Sequence, residues 1–262
     1  MMKSTLIIST YNWPEALKLV FESVLRQTIL VDEIIIADDG SLKKTRFLID
    51  DYRKYFDIPL IHVWHEDLGF RKTIILNKAY YTASGDYIIQ IDGDIILHPN
   101  FIKDHIKNAE KSRFIHGGRV LLNENITFQR LQSSNINFYF FHRGLKNRIN
   151  SIYSPFLSRF FNHKSTSLKK TRGCNFSCWK DDFFMVNGYN ENMVGWGLED
   201  TELSCRLINN NVFKKRLKFI ALTYHLYHKI NKQGNYGINS SILSNTINQK
   251  IKFCKNGVNN YS

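Results

Sequence analysis

The sequence predicts an α/β fold: a mostly parallel central sheet flanked by helices, in a single globular unit. Three observations carry that expectation. Residues 5–9, 33–38 and 87–91 are short, continuous apolar runs, the pattern of strands buried on both faces. The stretches between them carry apolar residues at helical spacing. The connections are long enough for right-handed strand–helix–strand crossovers, which make neighbouring strands parallel.

The elements follow in order. After the strand at 5–9, Asn12 is placed to cap a helix and Pro14 suits its first turn. Ala16, Leu17, Val20, Phe21, Val24 and Leu25 then recur on one helical face. The strand at 33–38 closes in the turn Asp39-Gly40-Ser41. A helix over 44–54, a strand over 60–64, a helix over 73–82 and a strand over 87–91 complete the first half. The second half is less regular. A helix is expected over 100–111, a strand over 114–122, a helix ending near Asn209, and a strand over 218–227. Residues 1–232 are expected as one domain with two functional halves, 1–98 and 99–232. Residues 233–262 are expected as a peripheral polar tail.

Of the 262 residues, 43% are hydrophobic and 23% charged, which suits a globular chain and excludes a disordered one. No stretch approaches the ~20 apolar residues of a membrane span. The apolar run near the N-terminus is too short for a signal peptide, and Cys174, Cys178, Cys205 and Cys254 fit no zinc spacing. Three Asn-x-Ser/Thr matches are accidents of an Asn-rich chain, and a soluble cytoplasmic protein is expected. Lys and Arg number 36 against 23 Asp and Glu, so the formal net charge is 36 − 23 = +13. That favours an anionic partner: nucleic acid, nucleotide, phosphorylated substrate or acidic membrane.

Several groups of residues could carry chemistry. Asp92-Gly93-Asp94 follows a strand, and side chains two apart in extended backbone share a face. Both carboxylates could then meet one Mg²⁺ or Mn²⁺ ion, although an isolated Asp-x-Asp is also a common accident. Sheet topology points the same way, since ligands of such sheets bind at the carboxyl ends of the strands. Asp39 ends another strand, where it serves either a ribose or base or a plain turn. Arg71 and Lys72 suit a diphosphate or a solvated helix start. Glu199-Asp200 opens a helix after Gly195-Trp196-Gly197, and serves either as acidic capping or as a general base. Trp196 between two glycines presents an indole that could stack on a sugar. His225 and His228 lie at a strand end, where one could complete a cation site with Asp94. Residues 142–172 hold eight Lys or Arg and no acidic residue, interleaved with Ile152, Tyr153, Phe156, Leu157, Phe160 and Phe161. Such a segment could lie on anionic headgroups, bind nucleic acid or close over an anionic substrate, unless it is solvated surface.

Taken in order, these segments resemble glycosyltransferase family 2, with the GT-A fold. The resemblance is carried by Ser9-Thr10-Tyr11-Asn12, Asp38-Asp39-Gly40-Ser41, Gly69-Phe70-Arg71-Lys72 with Asn77-Lys78-Ala79, and Asp92-Gly93-Asp94. It continues through Gly173-Cys174-Asn175-Phe176-Ser177, Asn187-Gly188-Tyr189-Asn190-Glu191, Gly195-Trp196-Gly197-Leu198-Glu199-Asp200 and Tyr224-His225. The later group is similar to β-1,4-galactosyltransferases and bacterial chondroitin polymerase-type enzymes, and the whole set spans nearly all of residues 3–228.

The resemblance implies that Thr10 and Asp39 contact the nucleoside, Asp92 the ribose or metal, and Asp94 with His225 a Mn²⁺ or Mg²⁺ ion on the diphosphate. Asp200 would be the catalytic base, Glu199 and Trp196 would shape the acceptor site, and Arg71 or Lys72 would steady the leaving group. Trp13 stands where family members commonly carry Arg. The implied reaction is inverting transfer of a hexose or N-acetylhexosamine, from a nucleotide-sugar expected to be UDP-linked, to a glycan or lipid-linked hydroxyl. Peripheral contact of 142–172 with the inner face of a membrane is expected, and nucleic acid is not. A sugar-phosphate nucleotidyltransferase would need a Gly- and basic-rich loop after the first strand, which residues 10–14 are not. A non-catalytic basic binder leaves Asp92-Gly93-Asp94 and 196–200 unexplained.

Overall fold

The first half is built on β1 (Ser4–Thr10), β2 (Glu33–Asp38), β3 (Leu60–Trp64) and β4 (Tyr87–Asp92), joined by α1 (Pro14–Leu25), α2 (Lys43–Tyr52) and α3 (Lys72–Thr82). The computed structural model describes residues 2–229 and 235–261. Alternation along each strand sends neighbours to opposite faces. Leu6, Ile8, Ile34, Ile36, Ile89 and Ile91 pack with Leu17, Val20, Phe21 and Val24 of α1. Ile7, Ile35, Ala37 and Ile88 pack on the other face with Ile75, Leu76, Ala79 and Tyr80 of α3. Burial on both faces is why these strands read as unbroken apolar runs.

These four strands pair in parallel in the order β3-β2-β1-β4. Register aligns Thr10 with Asp38 and Ser9 with Asp92, so their polar ends share one carboxyl edge.

The remaining elements are β5 (Ile95–Leu97), α4 (Phe101–Asn108), β6 (Arg113–His116), β7 (Val120–Leu122), α5 (Glu124–Ser133), β8 (Leu145–Lys146), α6 (Pro155–Phe161), β9 (His163–Ser165), β10 (Asn175–Trp179), α7 (Lys180–Met185), α8 (Glu199–Asn209), β11 (Phe213–Arg216), β12 (Thr223–His225) and α9 (Tyr236–Asn248). The large sheet continues as β4-β10-β6-β11-β9, with β10 antiparallel to both neighbours. It is therefore parallel across its first four strands and mixed beyond them. A second sheet has the order β5-β12-β7-β8.

Several expectations are corrected. The strand expected over 114–122 is two strands in different sheets, broken at Gly117-Gly118. A Cβ at Gly117 would lie 2.2 Å from Asn175 Nδ2, which donates to the Gly118 and Ala221 carbonyls. The chain turns there around a buried amide. The strand expected over 218–227 shortens to β12, and β11 forms ahead of it. Asn12 does not cap α1: its φ is +47° and its Oδ1 accepts from the Leu42 N–H, tying the end of β1 to the loop after β2.

The segment expected to be a peripheral tail packs inward where it is described. Val258 is fully buried in the α3-side core, Cys254 is buried, and α9 lies against α8. The expected boundary at 232/233 falls outside the described residues.

Candidate active site

A cavity of about 870 Å³ opens at the carboxyl edge of β1 and β4. It contains Thr10, Asp39, Lys72, Asp92, Asp94, Trp196, Glu199, Asp200 and His225 in its walls, so nine of the ten expected site residues converge there. The tenth, Arg71, does not line it. The Arg71 guanidinium donates to the Glu66 carbonyl, and only its backbone N–H serves the site, donating to Asp39 Oδ2 at 2.9 Å. The other Asp39 oxygen lies 2.6 Å from His65 Nε2. Asp39 is thus a carboxylate fixed on two sides at the cavity floor.

Gly93 bends the chain between the two aspartates. Its N–H donates to the Ser9 carbonyl at 2.6 Å, and a Cβ there would come within 2.9 Å of that oxygen. The two carboxylates then take different partners. Asp92 Oδ1 accepts from Lys72 Nζ at 2.6 Å and from Ser9 Oγ at 2.9 Å. Burial works against the Asp92 charge, but Lys72 and Ser9 outweigh it and hold the carboxyl below the usual range. Asp92, expected on the ribose or metal, is held in this ion pair. Lys72, expected on the diphosphate, is engaged by the same pair.

Asp94 faces the other way, into the second sheet. The antiparallel pairing of β12 with β5 sets His225 opposite Ile95, and the Leu226 N–H donates to the Asp94 carbonyl at 3.0 Å. Asp94 Oδ2 lies 3.4 Å from His225 Nε2 and 3.2 Å from His228 Nε2. One ligand atom from each of the three falls within 4.8 Å of the others, and Asp94 Oδ1 is buried without a partner. One carboxylate with two imidazoles is a donor set that fits a divalent transition ion such as Mn²⁺ better than oxygen-seeking Mg²⁺. The choice between His225 and His228 dissolves, because both point at the same carboxylate. Burial lowers the His225 pKa, which favours the neutral, ligating form.

The opposite wall carries Glu199 and Asp200, at the start of α8. Asp200 Oδ2 accepts from the Gly173 N–H at 2.6 Å and Oδ1 from the Tyr189 hydroxyl at 3.1 Å. The Tyr189 hydroxyl is itself set by Gln90 of β4. A Cβ on Gly173 would lie 2.4 Å from Asp200 Oδ1, so only glycine lets the carboxylate sit there. Burial raises both carboxyl pKa values, that of Glu199 to about 7. Lys72, the Gly173 N–H and the Tyr189 hydroxyl counter this at Asp200. The two carboxyls therefore share one buried site, in which Asp200 is the better supplied with hydrogen-bond donors. Glu199 Oε2 also accepts from the Gly197 N–H at 2.9 Å, which closes the loop that carries Trp196. Trp196 is 40% exposed on the cavity wall, between glycines at φ +81° and +111°.

His228, the alternative to His225, joins the Asp94 cluster beside it. Three contributions were not foreseen. Arg119 and Arg172 line the cavity, the former with its guanidinium 3.5 Å from Cys174 Sγ, and neither pairs with a carboxylate among the described residues. Tyr189 stood inside a motif with no role attached. From α9, Asn239 Nδ2 donates to the Gly197 carbonyl at 2.9 Å and Tyr236 lines the cavity beside Gly197. Nothing in the polar composition of 233–262 marks those two residues.

Comparison with known proteins places this geometry. The family described as Glycosyl transferase family 2 matches residues 5–166, and the N-terminal domain of galactosyltransferase matches residues 157–229. Chondroitin synthase of Escherichia coli is 20% identical over 249 residues, covering 84% of this chain and 34% of that protein. The chain spans between 22% and 41% of the length of the curated relatives it matches. Among solved structures, S. aureus TarS 1–349 in complex with UDP has a TM-score of 0.61 at 15% identity, over 96% of this chain and 72% of that one. GalNAc-T7 with UDP, GalNAc and Mn²⁺ has a TM-score of 0.65 at 14% identity, over 94% of this chain and 50% of that one. Those two share the fold. With the first family matching more than half of its length, the chain belongs to glycosyl transferase family 2.

Proposed function

We propose that this chain is an inverting, divalent-cation-dependent glycosyltransferase. In this reading it moves a hexose or N-acetylhexosamine from a nucleotide-sugar, a uridine carrier foremost, to a hydroxyl of a cell-surface glycan or lipid-linked acceptor. One observation carries the reading: a single cavity sets the Asp94, His225 and His228 ligand set on one wall and a buried, hydrogen-bonded Asp200 on another. The uridine preference follows the family resemblance and is supported by the two structural neighbours, both of which are complexes with UDP.

Each residue then has a task. Thr10 and Asp39 flank the nucleoside, and Asp92, steadied by Lys72, faces the ribose. A divalent cation held by Asp94, His225 and His228 would neutralise charge on the departing diphosphate. Arg119 and Arg172 add positive potential on the same cavity. Asp200 accepts the proton of the acceptor hydroxyl as that oxygen bonds to the anomeric carbon and the bond to the diphosphate breaks. One base and one displacement invert the configuration at that carbon. Trp196 offers a flat apolar face for a sugar ring, and Glu199 beside it can hydrogen-bond to that sugar.

The test is the melting temperature with UDP, GDP, CMP and dTDP, each with and without Mn²⁺. A ligand that binds only the folded state raises it by mass action. A Mn²⁺-dependent rise with one nucleotide is expected. No rise with any of the four at millimolar ligand would remove the nucleotide-sugar reading.

A further inference from the structure

The basic segment 142–172 takes no catalytic role beyond its two ends, and helix α6 within it is built inside out. Of its seven residues only Ser158 is buried, at 5% exposure, while Phe156 is 67% and Phe160 71% exposed. Leu157 and Phe161 are exposed as well. An ordinary surface helix turns its apolar stripe inward and its polar residues to water; α6 does the reverse. Its geometry is otherwise regular, with Ser154 capping the start by accepting from the Leu157 N–H. Phe156 and Phe160, one turn apart, meet edge to face at 5.5 Å between ring centres. They form a paired aromatic ridge that no part of the described chain covers.

Cations frame that ridge. Arg159 lies on α6 itself, and the chain leads directly into β9, the outermost strand of the large sheet, which carries Lys164. Lys218 sets its ammonium 4.7 Å over the Phe161 ring and 4.8 Å over the Phe219 ring, the posture of a side chain that lays its stem on apolar surface and keeps its charge at the rim. Lys169 and Lys170 follow, and residues 142–172 include no carboxylate. On the adjoining strand Lys215 is paired with Glu110 at 2.5 Å and Lys214 donates to the Ser167 and Lys169 carbonyls, while Lys164 lies 3.8 Å over the Phe213 ring with no carboxylate partner among the described residues.

We propose that the face formed by α6, β9 and Lys218 docks this protein on an anionic lipid bilayer, with Phe156 and Phe160 entering the headgroup region and Arg159, Lys164 and Lys218 meeting the lipid phosphates. Apolar insertion plus basic attraction is the combination that gives a peripheral protein stable but reversible membrane binding. A single-stranded nucleic acid is held in a basic groove that stacks bases, whereas α6 protrudes and lines no part of the active-site cavity. A second copy of the chain would bring two cationic faces together in a protein that carries +13 overall. The segment leaves the cavity wall at Lys146 and returns to it at Thr171 and Arg172. The docked element is thus tied at both ends to the site.

Co-sedimentation with vesicles tests this without reference to turnover. Vesicles of phosphatidylglycerol and phosphatidylcholine in equal parts should carry down the protein, pure phosphatidylcholine vesicles should not, and added salt should weaken the binding. The double variant Phe156→Ser, Phe160→Ser should lose about tenfold or more in partitioning, and Lys164→Gln with Lys218→Gln a smaller factor. Circular dichroism and melting temperature establish that each variant is folded. Should the double variant not fold, Phe160→Trp replaces it, and its emission should shift to the blue on anionic vesicles only. Equal binding to both vesicle types, undiminished binding of the folded serine variant, or an unshifted tryptophan would overturn the proposal. So would a single-stranded oligonucleotide that binds through the same phenylalanines while vesicles do not.

Discussion

The two halves of this molecule place their site residues by different physics. In residues 1–98 the placement is local and periodic: β1, β2 and β4 run parallel and in register, so Thr10, Asp38 and Asp92 arrive at one edge as a consequence of strand length. In the second half the placement is made by contacts between residues distant in sequence. Asp200 is seated by Gly173, 27 residues away, and the Trp196 loop by Asn239, 42 residues away. Asn77 joins the halves: its Oδ1 accepts from the Tyr189 N–H and its Nδ2 donates to the Tyr189 carbonyl. A site built this way should be separable in part: nucleotide binding follows the first half together with the His225 and His228 that complete the cation set, and turnover follows Asp200.

The sharpest way to break that division is Asp200→Asn. The amide keeps the shape but cannot take a proton, so turnover should fall by about 10²–10⁴-fold while nucleotide affinity stays within a factor of about two. Single-turnover assays beside nucleotide titrations measure both. Undiminished turnover would remove Asp200 from the mechanism. The converse variant is Asp94→Ala, which leaves two imidazoles without their carboxylate. It should abolish the Mn²⁺-dependent part of nucleotide binding, read as loss of the extra stabilisation that Mn²⁺ adds to nucleotide in the wild type. Equal affinity with and without Mn²⁺ in the wild type would count against the cation site.

These differences also explain what could be read in advance. Strands β1 to β4 and helices α1 and α3 were legible because burial on both faces writes continuous apolar runs between amphipathic helices. The breaks in the second half were not, because they arise from single buried polar groups. Asn175 cuts 114–122 in two by occupying the space at Gly117, and no periodicity within that stretch announces it. The carboxylates and His225 were found because motif order marks them. Arg119, Arg172, Tyr236 and Asn239 carry no local signal, since their value lies in which cavity they reach. Asp92 shows the intermediate case: its position was legible, but its ion pair with Lys72 is a tertiary fact.

Gly173→Ala probes whether the second half depends on such fitting. The added methyl would meet Asp200 Oδ1 at 2.4 Å, and the base would have to move. Turnover should drop by about 10²-fold, the scale expected when a catalytic group is displaced by about 1 Å, with nucleotide binding kept. A variant with wild-type turnover would show that the Asp200 position is not set by this glycine.

The smallest expected effect concerns Glu199 and is read in stability. Its pKa rises from 4.5 to about 7 in the fold, because burial and then the neighbouring Asp200 disfavour its charge. Between those values the folded protein keeps a proton that the unfolded chain has released. A raised carboxyl therefore costs nothing below about pH 4.5, and the cost grows with pH until about 7, where it levels off. Glu199→Gln removes the titration and keeps an oxygen for the Gly197 N–H. The variant should match wild type near pH 4.5 and exceed it by about 1–3 kcal/mol near pH 8, in denaturant midpoints taken across that range. A difference that is flat with pH would mean that folding does not raise the Glu199 pKa.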